Sequence, residues 1–251
     1  MDTVIDAHVH IGSSTQDYFQ YIRNSNIKGA VIFPHVDEIY ARYISNFKDN
    51  KKWQNRRKVA NDYVLSLKTV EDFKVFPFYF VWNDFNTEKL AFYNGIKWHR
   101  HSDEPTYDYK SEKCKGFVNE IQKRNLPVIL EEEFENTLLF INSLAPKARV
   151  IIPHCGLLNG GYERFCKFTI WEKEKIYTDT SLAEPEIVED YIKRYGHDRI
   201  MFGSDFPFGF PKMQLNEILE LEISEEAKEA ITTLNILKLL GEKVKQKIDM
   251  K

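Results

Sequence analysis

Near its start the chain reads Thr3-Val4-Ile5-Asp6-Ala7-His8-Val9-His10, an apolar run that ends in two histidines one residue apart. Side chains two positions apart on a β-strand point to the same face. His8 and His10 therefore project together, as two nitrogen ligands of one metal ion must. By itself the motif also fits two core histidines at the end of a strand, so its meaning depends on what the other strands carry.

Two later apolar runs end in residues of the same chemical kind. His154 follows Val150-Ile151-Ile152-Pro153, and Asp205 follows Ile200-Met201-Phe202-Gly203-Ser204. The carboxyl ends of the strands meet at one face of a (β/α)8 barrel, and that face carries the active site. Alone, His154 would more often be a core histidine and Asp205 a turn residue. Together with the first motif, they predict a site in which His154 binds a metal ion and Asp205 is the general base beside it.

Apolar runs recur along the chain, with helical or loop stretches between them. We place strands at 3–9, 27–33, 74–81, 95–99, 126–131, 149–153, 175–180 and 199–204. Several runs do not alternate with polar residues, which is typical of a parallel sheet covered on both faces. The length of 251 residues is close to the ~250 of one such barrel. The sequence predicts a distorted (β/α)8 TIM barrel, one domain over residues 1–251, with a long insertion at 35–72 after strand two.

The histidines are unevenly distributed relative to these strands. Only His197 precedes a strand, on the face where a barrel keeps residues that serve stability. The other six lie at or just past the carboxyl end of a strand: His8, His10, His35, His99, His101 and His154. Random placement would not favour one end of the barrel, so we expect these six at its mouth.

Composition and charge narrow the class of protein. The net charge of −3 argues against nucleic acid or a membrane surface as a partner, and no apolar run approaches the ~20 residues of a membrane span. The first strand starts at Thr3, which leaves no room for a cleaved signal peptide. Cys114, Cys155 and Cys166 are scattered and odd in number, as expected for reduced thiols. We expect a cytoplasmic protein with a small-molecule substrate and leave open whether it forms a homo-oligomer.

The sequence resembles the amidohydrolase superfamily, in particular the amidohydrolase 2 group of metal-dependent barrel hydrolases and decarboxylases. The resemblance covers nearly the whole chain, and strands one and eight carry its most specific motifs. It rests on residues 5–10, 95–99, 151–156, 177–181, 199–207 and 235–241. The resemblance implies a divalent metal, usually zinc, held by His8, His10 and Asp205 with help from strands five and six.

The fifth strand departs from the pattern of the group, in which a Pro-Val-aliphatic-aliphatic run ends in histidine. Here Pro127-Val128-Ile129-Leu130 is followed by Glu131, Glu132 and Glu133. Glutamate is a legitimate zinc ligand, but its harder, charged oxygen could favour manganese. Strand alternation lets only one of Glu131 and Glu132 face the site. We predict Glu131 as a metal ligand; alternatively, the three acids open the next helix, where they suit its dipole.

Strand four supplies candidates for substrate binding. Lys97 and His99 share a face of the strand, and we predict both as substrate contacts. The alternative for Lys97 is a carboxylated lysine that bridges two metals, as in some branches of the superfamily. Arg100 would suit a substrate carboxylate because its guanidinium donates two parallel hydrogen bonds, although it also fits an exposed loop cation.

Two further groups have structural interpretations. Arg56, Arg57 and Lys58 are interpreted as a solvated helix face. Phe206, Phe208 and Phe210 follow strand eight and either wall an apolar pocket or plug the rim of the barrel.

Together these residues predict metal-assisted hydrolysis of a small molecule at an amide, lactone or ester bond. A metal ion lowers the pKa of its bound water from about 15.7 toward ~7, Asp205 takes the proton of that water, and His154 binds the metal or polarises the carbonyl. One alternative is metal-dependent decarboxylation of an aromatic or unsaturated carboxylic acid. Another is a barrel that binds a metal or ligand without catalysis, since fold does not imply function.

Overall fold

The computed structural model describes residues 3–12, 15–67 and 73–242. All eight predicted strands are present. They are Val4–Ile11 (β1), Ile27–Pro34 (β2), Lys74–Phe80 (β3), Gly95–His99 (β4), Val128–Glu131 (β5), Val150–Ile152 (β6), Ile176–Asp179 (β7) and Ile200–Met201 (β8). Each strand pairs in parallel with the next one along the chain. This strand order confirms the predicted (β/α)8 barrel.

Backbone hydrogen bonds between β1 and the segment after β8 nearly close the barrel. The Asp205 amide donates to the His8 carbonyl at 2.8 Å, and the His10 amide donates to the Phe206 carbonyl at 2.8 Å. Closure of the barrel thus places the residues that follow β8 directly beside the His-x-His motif.

Helices and shorter turns cover the outside of the sheet. In the described ranges the helices are Thr15–Ile22 (α1), Lys51–Ser66 (α2), Glu112–Lys123 (α3), Phe134–Leu139 (α4), Tyr162–Lys167 (α5), Pro185–Tyr195 (α6), Pro211–Glu220 (α7), Glu225–Glu229 (α8) and Asn235–Leu240 (α9). None of them combines the length and apolar composition needed to cross a bilayer. The three cysteines, all within these ranges, are free thiols.

Alternate residues of β4 show how the two faces of the sheet are used. Trp98 packs outward against Phe117 of α3 and Phe140 after α4. Lys97, one position earlier, contacts His8 of β1 across the barrel interior. The outer face of the strand therefore belongs to the apolar layer under the helices, and the inner face carries polar side chains.

The insertion after β2 is anchored by a buried arginine. Arg57 of α2 is only 2% exposed. Its guanidinium donates to Asp49 at 2.7 Å, to Asp84 at 3.1 Å and to the Ile39 carbonyl at 3.0 Å. The interpretation of Arg56, Arg57 and Lys58 as a solvated face was therefore wrong for Arg57, because paired carboxylates let its charge be buried. Residues 68–72, the end of the predicted insertion, lie outside the described residues.

Arg57→Met is expected to lower the free energy of unfolding by about 3 kcal/mol. The change leaves two carboxylates without their cation and a buried carbonyl without its donor. Urea unfolding of the variant measures the effect, and Arg56→Met is the matched control. Arg56 is exposed and lies over the Trp53 ring at 5.0 Å, so the control should change stability by less than about 1 kcal/mol. Equal unfolding free energies for the two variants would contradict the anchoring role.

Candidate metal centre

The two histidines of β1 and the aspartate after β8 meet inside the barrel. Nε2 of His8 and Nε2 of His10 each lie 3.2 Å from Oδ1 of Asp205. All three residues are buried. Ligand atoms that share one metal ion at about 2.0–2.2 Å stand roughly 3 Å apart, so this spacing is compatible with a common cation.

His154 and Asp205 have a backbone conformation that side-chain-bearing residues seldom adopt. Their φ angles are 57° and 53°, in the left-handed region. Each such residue costs about 1–3 kcal/mol and persists only where the surrounding structure holds it. The amide of His154 donates to Oδ1 of Asp179 at 3.1 Å. The amide of Asp205 donates to the His8 carbonyl of β1. The strained backbone lets both side chains point into the barrel.

The His154 ring is oriented by the residues after β7. Its Nδ1 lies 3.0 Å from the Ser181 carbonyl and 2.8 Å from the Ser181 hydroxyl. A carbonyl can only accept, so Nδ1 carries the hydrogen and the lone pair of a neutral ring sits on Nε2. That Nε2 is buried without a hydrogen-bond partner. Ligand atoms of His8, His154 and Asp205 lie within 4.8 Å of one another.

The charges of the cluster favour a cation. Burial lowers the pKa of His154, but the carboxylates of Glu131, Asp205 and Asp179 outweigh it and raise that pKa to about 9. Burial raises the pKa of Asp205, but the imidazoles of His8, His10 and His154 outweigh it and lower that pKa, so the carboxyl is ionised. A site that draws a proton onto a ligand atom will also attract a metal ion, which displaces that proton on binding.

Asp179 at the end of β7 is a candidate functional residue for which the sequence suggested no role. Its Oδ2 accepts from Nδ1 of His8 at 2.9 Å, and its Oδ1 accepts from the amides of His154 and Ser181, both at 3.1 Å. A carboxylate behind a ligating histidine sets its tautomer and raises its basicity. The available signal was its position at a strand's carboxyl end, as for His154 and Asp205.

Asp179→Asn is expected to weaken binding of a divalent metal by 10- to 100-fold, roughly the usual cost of losing such an outer partner. The measurement is a calorimetric titration of the chelator-treated protein with Zn²⁺. Asp198→Asn is the matched control, because Asp198 is exposed and lies before β8, at the other end of the barrel. Unchanged affinity in Asp179→Asn would show that His8 does not depend on this carboxylate.

Lys97 and Glu131 form a buried ion pair at the edge of the cluster. Nζ of Lys97 lies 2.7 Å from Oε2 of Glu131 and 3.0 Å from Nε2 of His8. Oε2 of Glu131 is also 3.7 Å from Nε2 of His154. Of the two candidate glutamates, Glu131 is thus the one inside the barrel. A cation bound by His8 requires the flexible Lys97 side chain to turn away from that ring.

Glu132 and Arg100 lie together on another side of these strands. Nη1 of Arg100 donates to Glu132 at 2.8 Å and to Glu133 at 2.7 Å. Its Nη2 donates to the carbonyls of Ser102 and Glu104. Arg100 is buried rather than an exposed loop cation, and a substrate carboxylate could reach its Nη atoms only by displacing one of these partners.

The six histidines predicted at the barrel mouth form one continuous group. Ring centroids 4.8–6.1 Å apart connect His8 to His10 and His154, His10 to His35 and His99, and His99 to His101. His197, the seventh, accepts a hydrogen bond from Asn235 through its carbonyl and belongs to the opposite end.

Of the three phenylalanines after β8, one lines the mouth. Phe208 is 50% exposed, stacks on His35 with centroids 5.6 Å apart, and meets the His10 ring edge-on at 5.6 Å. Phe206 is buried against Tyr18 of α1, while Phe210 is exposed and contacts Tyr21 of the same helix. The mouth therefore offers an exposed aromatic surface directly beside the cluster.

The residues of the cluster fit a divalent transition metal. Nε2 of His154 and Oδ1 of Asp205 are buried polar atoms without hydrogen-bond partners in the described structure, and such atoms in a native protein call for an explanation such as an ion. Three imidazole nitrogens and a carboxylate form a donor set that suits zinc or manganese.

Comparison with solved structures shows the same fold in enzymes of two kinds. The 2,6-dihydroxybenzoate decarboxylase from Rhizobium is 15% identical, with a TM-score of 0.73 over 96% of this chain and 99% of that one. A Pseudomonas putida protein assigned as a 2-pyrone-4,6-dicarboxylic acid hydrolase is also 15% identical, with a TM-score of 0.71 over 98% and 100%. At these identities the likeness establishes the fold alone.

A third solved structure contains a metal. It is a dihydroxybenzoic acid decarboxylase from a Polaromonas species with bound manganese and 2-nitroresorcinol, 13% identical with a TM-score of 0.69 over 96% of this chain and 97% of that one. No curated protein sequence matches the chain. The model of the family described as amidohydrolase (Amidohydro_2), however, matches residues 5–241. Because this match covers nearly the whole sequence, the chain belongs to that amidohydrolase family.

Proposed function

We propose that this protein is a metal-dependent hydrolase that cleaves an amide, lactone or ester bond of a small molecule. The observation that supports the proposal is the meeting of His8, His10, His154 and Asp205 in one buried cluster. Two atoms of that cluster, Nε2 of His154 and Oδ1 of Asp205, have no hydrogen-bond partner in the described structure.

The metal would be held by His8, His10, His154, Asp205 and Glu131. When bound, a divalent ion supplies Lewis acidity that polarises a carbonyl and makes a water more acidic. Zinc suits the imidazole-rich donor set, while Glu131 and the manganese in the Polaromonas decarboxylase keep manganese as the alternative.

The residues of the chain would divide the remaining work. Asp205, ionised, accepts a proton from the attacking water and delivers it to the leaving group. As the alternative to binding the metal, His154 would polarise the substrate carbonyl by a hydrogen bond from a protonated Nε2. Lys97 and His99 are proposed as substrate contacts on the inner face of β4, and Arg100 can join them only after exchanging Glu132 or Glu133 for a substrate carboxylate.

The second candidate function is metal-dependent decarboxylation of an aromatic acid. It is favoured by the exposed Phe208 ring stacked on His35 at the mouth, where an aromatic substrate could stack in turn. The Rhizobium and Polaromonas neighbours are decarboxylases of dihydroxybenzoates. In this reaction the bond between the ring and its carboxylate would break, carbon dioxide would leave, and a proton drawn from water would take the place of the carboxylate on the ring carbon.

A parallel substrate panel separates the two functions. The purified, metal-loaded protein is assayed for hydrolysis of lactones, esters and amides and for carbon dioxide release from aromatic acids. We expect hydrolysis without carbon dioxide release. Carbon dioxide release without hydrolysis would replace the first proposal by the second. If the metal-loaded protein were inert in both assays, a non-catalytic barrel would be favoured.

The proposed setting of the protein is the cytoplasm, with no nucleic acid or membrane partner.

A further inference from the structure

A second group of ligand-type side chains lies beside the first cluster, at the ends of β4 and β5. Nε2 of His101 lies 2.7 Å from Oε1 of Glu131, and Nε2 of His99 lies 3.2 Å from the same oxygen. One ligand atom of each residue lies within 4.8 Å of the other two. Two imidazoles at the end of β4, two residues apart along the chain, therefore both direct Nε2 toward one carboxylate oxygen of β5.

The outer nitrogens of both rings have polar partners supplied by the insertion after β2. The Tyr40 hydroxyl lies 3.2 Å from Nδ1 of His99, and Nη2 of Arg42 lies 3.2 Å from Nδ1 of His101. The Tyr40 hydroxyl donates its hydrogen to Glu104 and accepts from Nδ1 of His99, which leaves Nε2 of that ring as the ligand atom, the usual orientation of a ligating histidine. The Arg42 guanidinium can only donate, so in this structure Nδ1 of His101 accepts and its Nε2 carries the hydrogen that faces Glu131. A metal ion at Nε2 of His101 therefore requires Nδ1 to take the hydrogen and turn from Arg42 to Glu104.

Glu104 ties these outer partners together. Its carboxylate accepts from the Tyr40 hydroxyl at 2.5 Å, from Nε of Arg42 at 2.6 Å and from the His101 amide at 3.1 Å. It also lies 3.6 Å from Nδ1 of His101, close enough to receive a hydrogen bond from that ring after a small adjustment. The loop that carries His101 is thus fastened to the insertion, and the positions of both imidazoles are set by packing.

Glu131 joins the two groups. Its Oε1 faces His99 and His101, whereas its Oε2 faces Lys97 and His154. The sequence treated His99 only as a substrate contact and assigned no role to His101. Two imidazoles and a carboxylate form a donor set for a borderline divalent cation such as zinc, cobalt or manganese.

We propose that His99, His101 and Glu131 form a second divalent-cation site, next to the first and sharing Glu131 with it. Nη2 of Arg42 lies 3.2 Å from a ring nitrogen of His101 and repels a cation at this site, so it binds at least about tenfold more weakly than the first. The proposal does not depend on which reaction the enzyme catalyses.

The test is a titration of the chelator-treated full-length protein with Co²⁺ alone, followed by calorimetry and by the visible absorption of the bound ion. We expect two binding events of one ion each, the second weaker. His101→Gln should abolish the weaker event and leave the stronger one. Tyr40→Phe, which removes only a hydroxyl behind His99, should weaken the same event by about tenfold or more.

Two control variants distinguish this proposal from the first metal centre. His35→Gln changes another histidine at the mouth that lies outside both clusters and should leave two events. His10→Ala should remove the stronger event and keep the weaker one. The second site alone would be overturned if the wild type showed a single binding event of the following kind. That event would persist in His101→Gln and in Tyr40→Phe but be lost in His10→Ala. A wild-type titration in which no event responds to His10→Ala would instead count against the first centre.

Discussion

Replacing Asp205 by asparagine is expected to lower kcat by about 10²- to 10⁴-fold, the usual contribution of a positioned general base. The change removes the proton acceptor while keeping the size of the side chain. The amide of residue 205 still donates to the His8 carbonyl, so the backbone of the site should be unaffected. Three histidines remain in the donor set, and the carbonyl oxygen of asparagine can stand in the place of Oδ1. We therefore expect folding and metal content to be retained.

Steady-state kinetics on a substrate found in the panel, together with circular dichroism and elemental analysis, measure this effect. Asp37→Asn is the matched control, because Asp37 follows β2 at the same mouth but its side chain is 53% exposed and lies near His35 rather than in the cluster. The control should keep its activity. An Asp205→Asn protein with wild-type kcat would end the role of Asp205 as general base.

Removal of the metal is expected to lower activity by at least about 10³-fold, because the ion supplies several kcal/mol of charge stabilisation that no side chain replaces. Metal removal should also change the free energy of unfolding, which is measured independently of activity. If the ion is present at about 100 times its Kd, its loss also lowers the free energy of unfolding by roughly 3 kcal/mol. Chelator treatment followed by urea unfolding and kinetics measures both quantities.

Re-addition of Zn²⁺ or Mn²⁺ should restore activity and stability together, and the ion that restores more activity identifies the working metal. His10→Ala serves as the comparison. Even without chelator treatment, added metal should raise the activity and stability of this variant much less than those of the wild type. A protein that retains full activity with less than one metal ion in ten chains would rule out metal-dependent hydrolysis and decarboxylation alike.

Local periodicity allowed the sequence to predict the fold and the side chains that meet in the candidate metal centre. Continuous apolar runs identified the eight strands, because a parallel sheet covered on both faces needs them. The carboxyl ends of parallel barrel strands share one face, which brought His8, His154 and Asp205 together although β1, β6 and β8 are far apart along the chain. Alternation also restricted the interior to one of Glu131 and Glu132.

Tertiary packing alone decided which charged residues are buried and what they contact. Asp179 acquires its role only through His8, 171 residues away. Arg57 is buried because folding brings it Asp84, 27 residues along the chain, and Tyr40 reaches His99 only because the insertion folds over β4. The alternation of side chains along a strand determines which face of the sheet each residue occupies. The sequence by itself therefore determined the strands and the residues on the inner face of the barrel. The free energy of a buried charge depends on the partner opposite it, and only the tertiary structure supplies that partner.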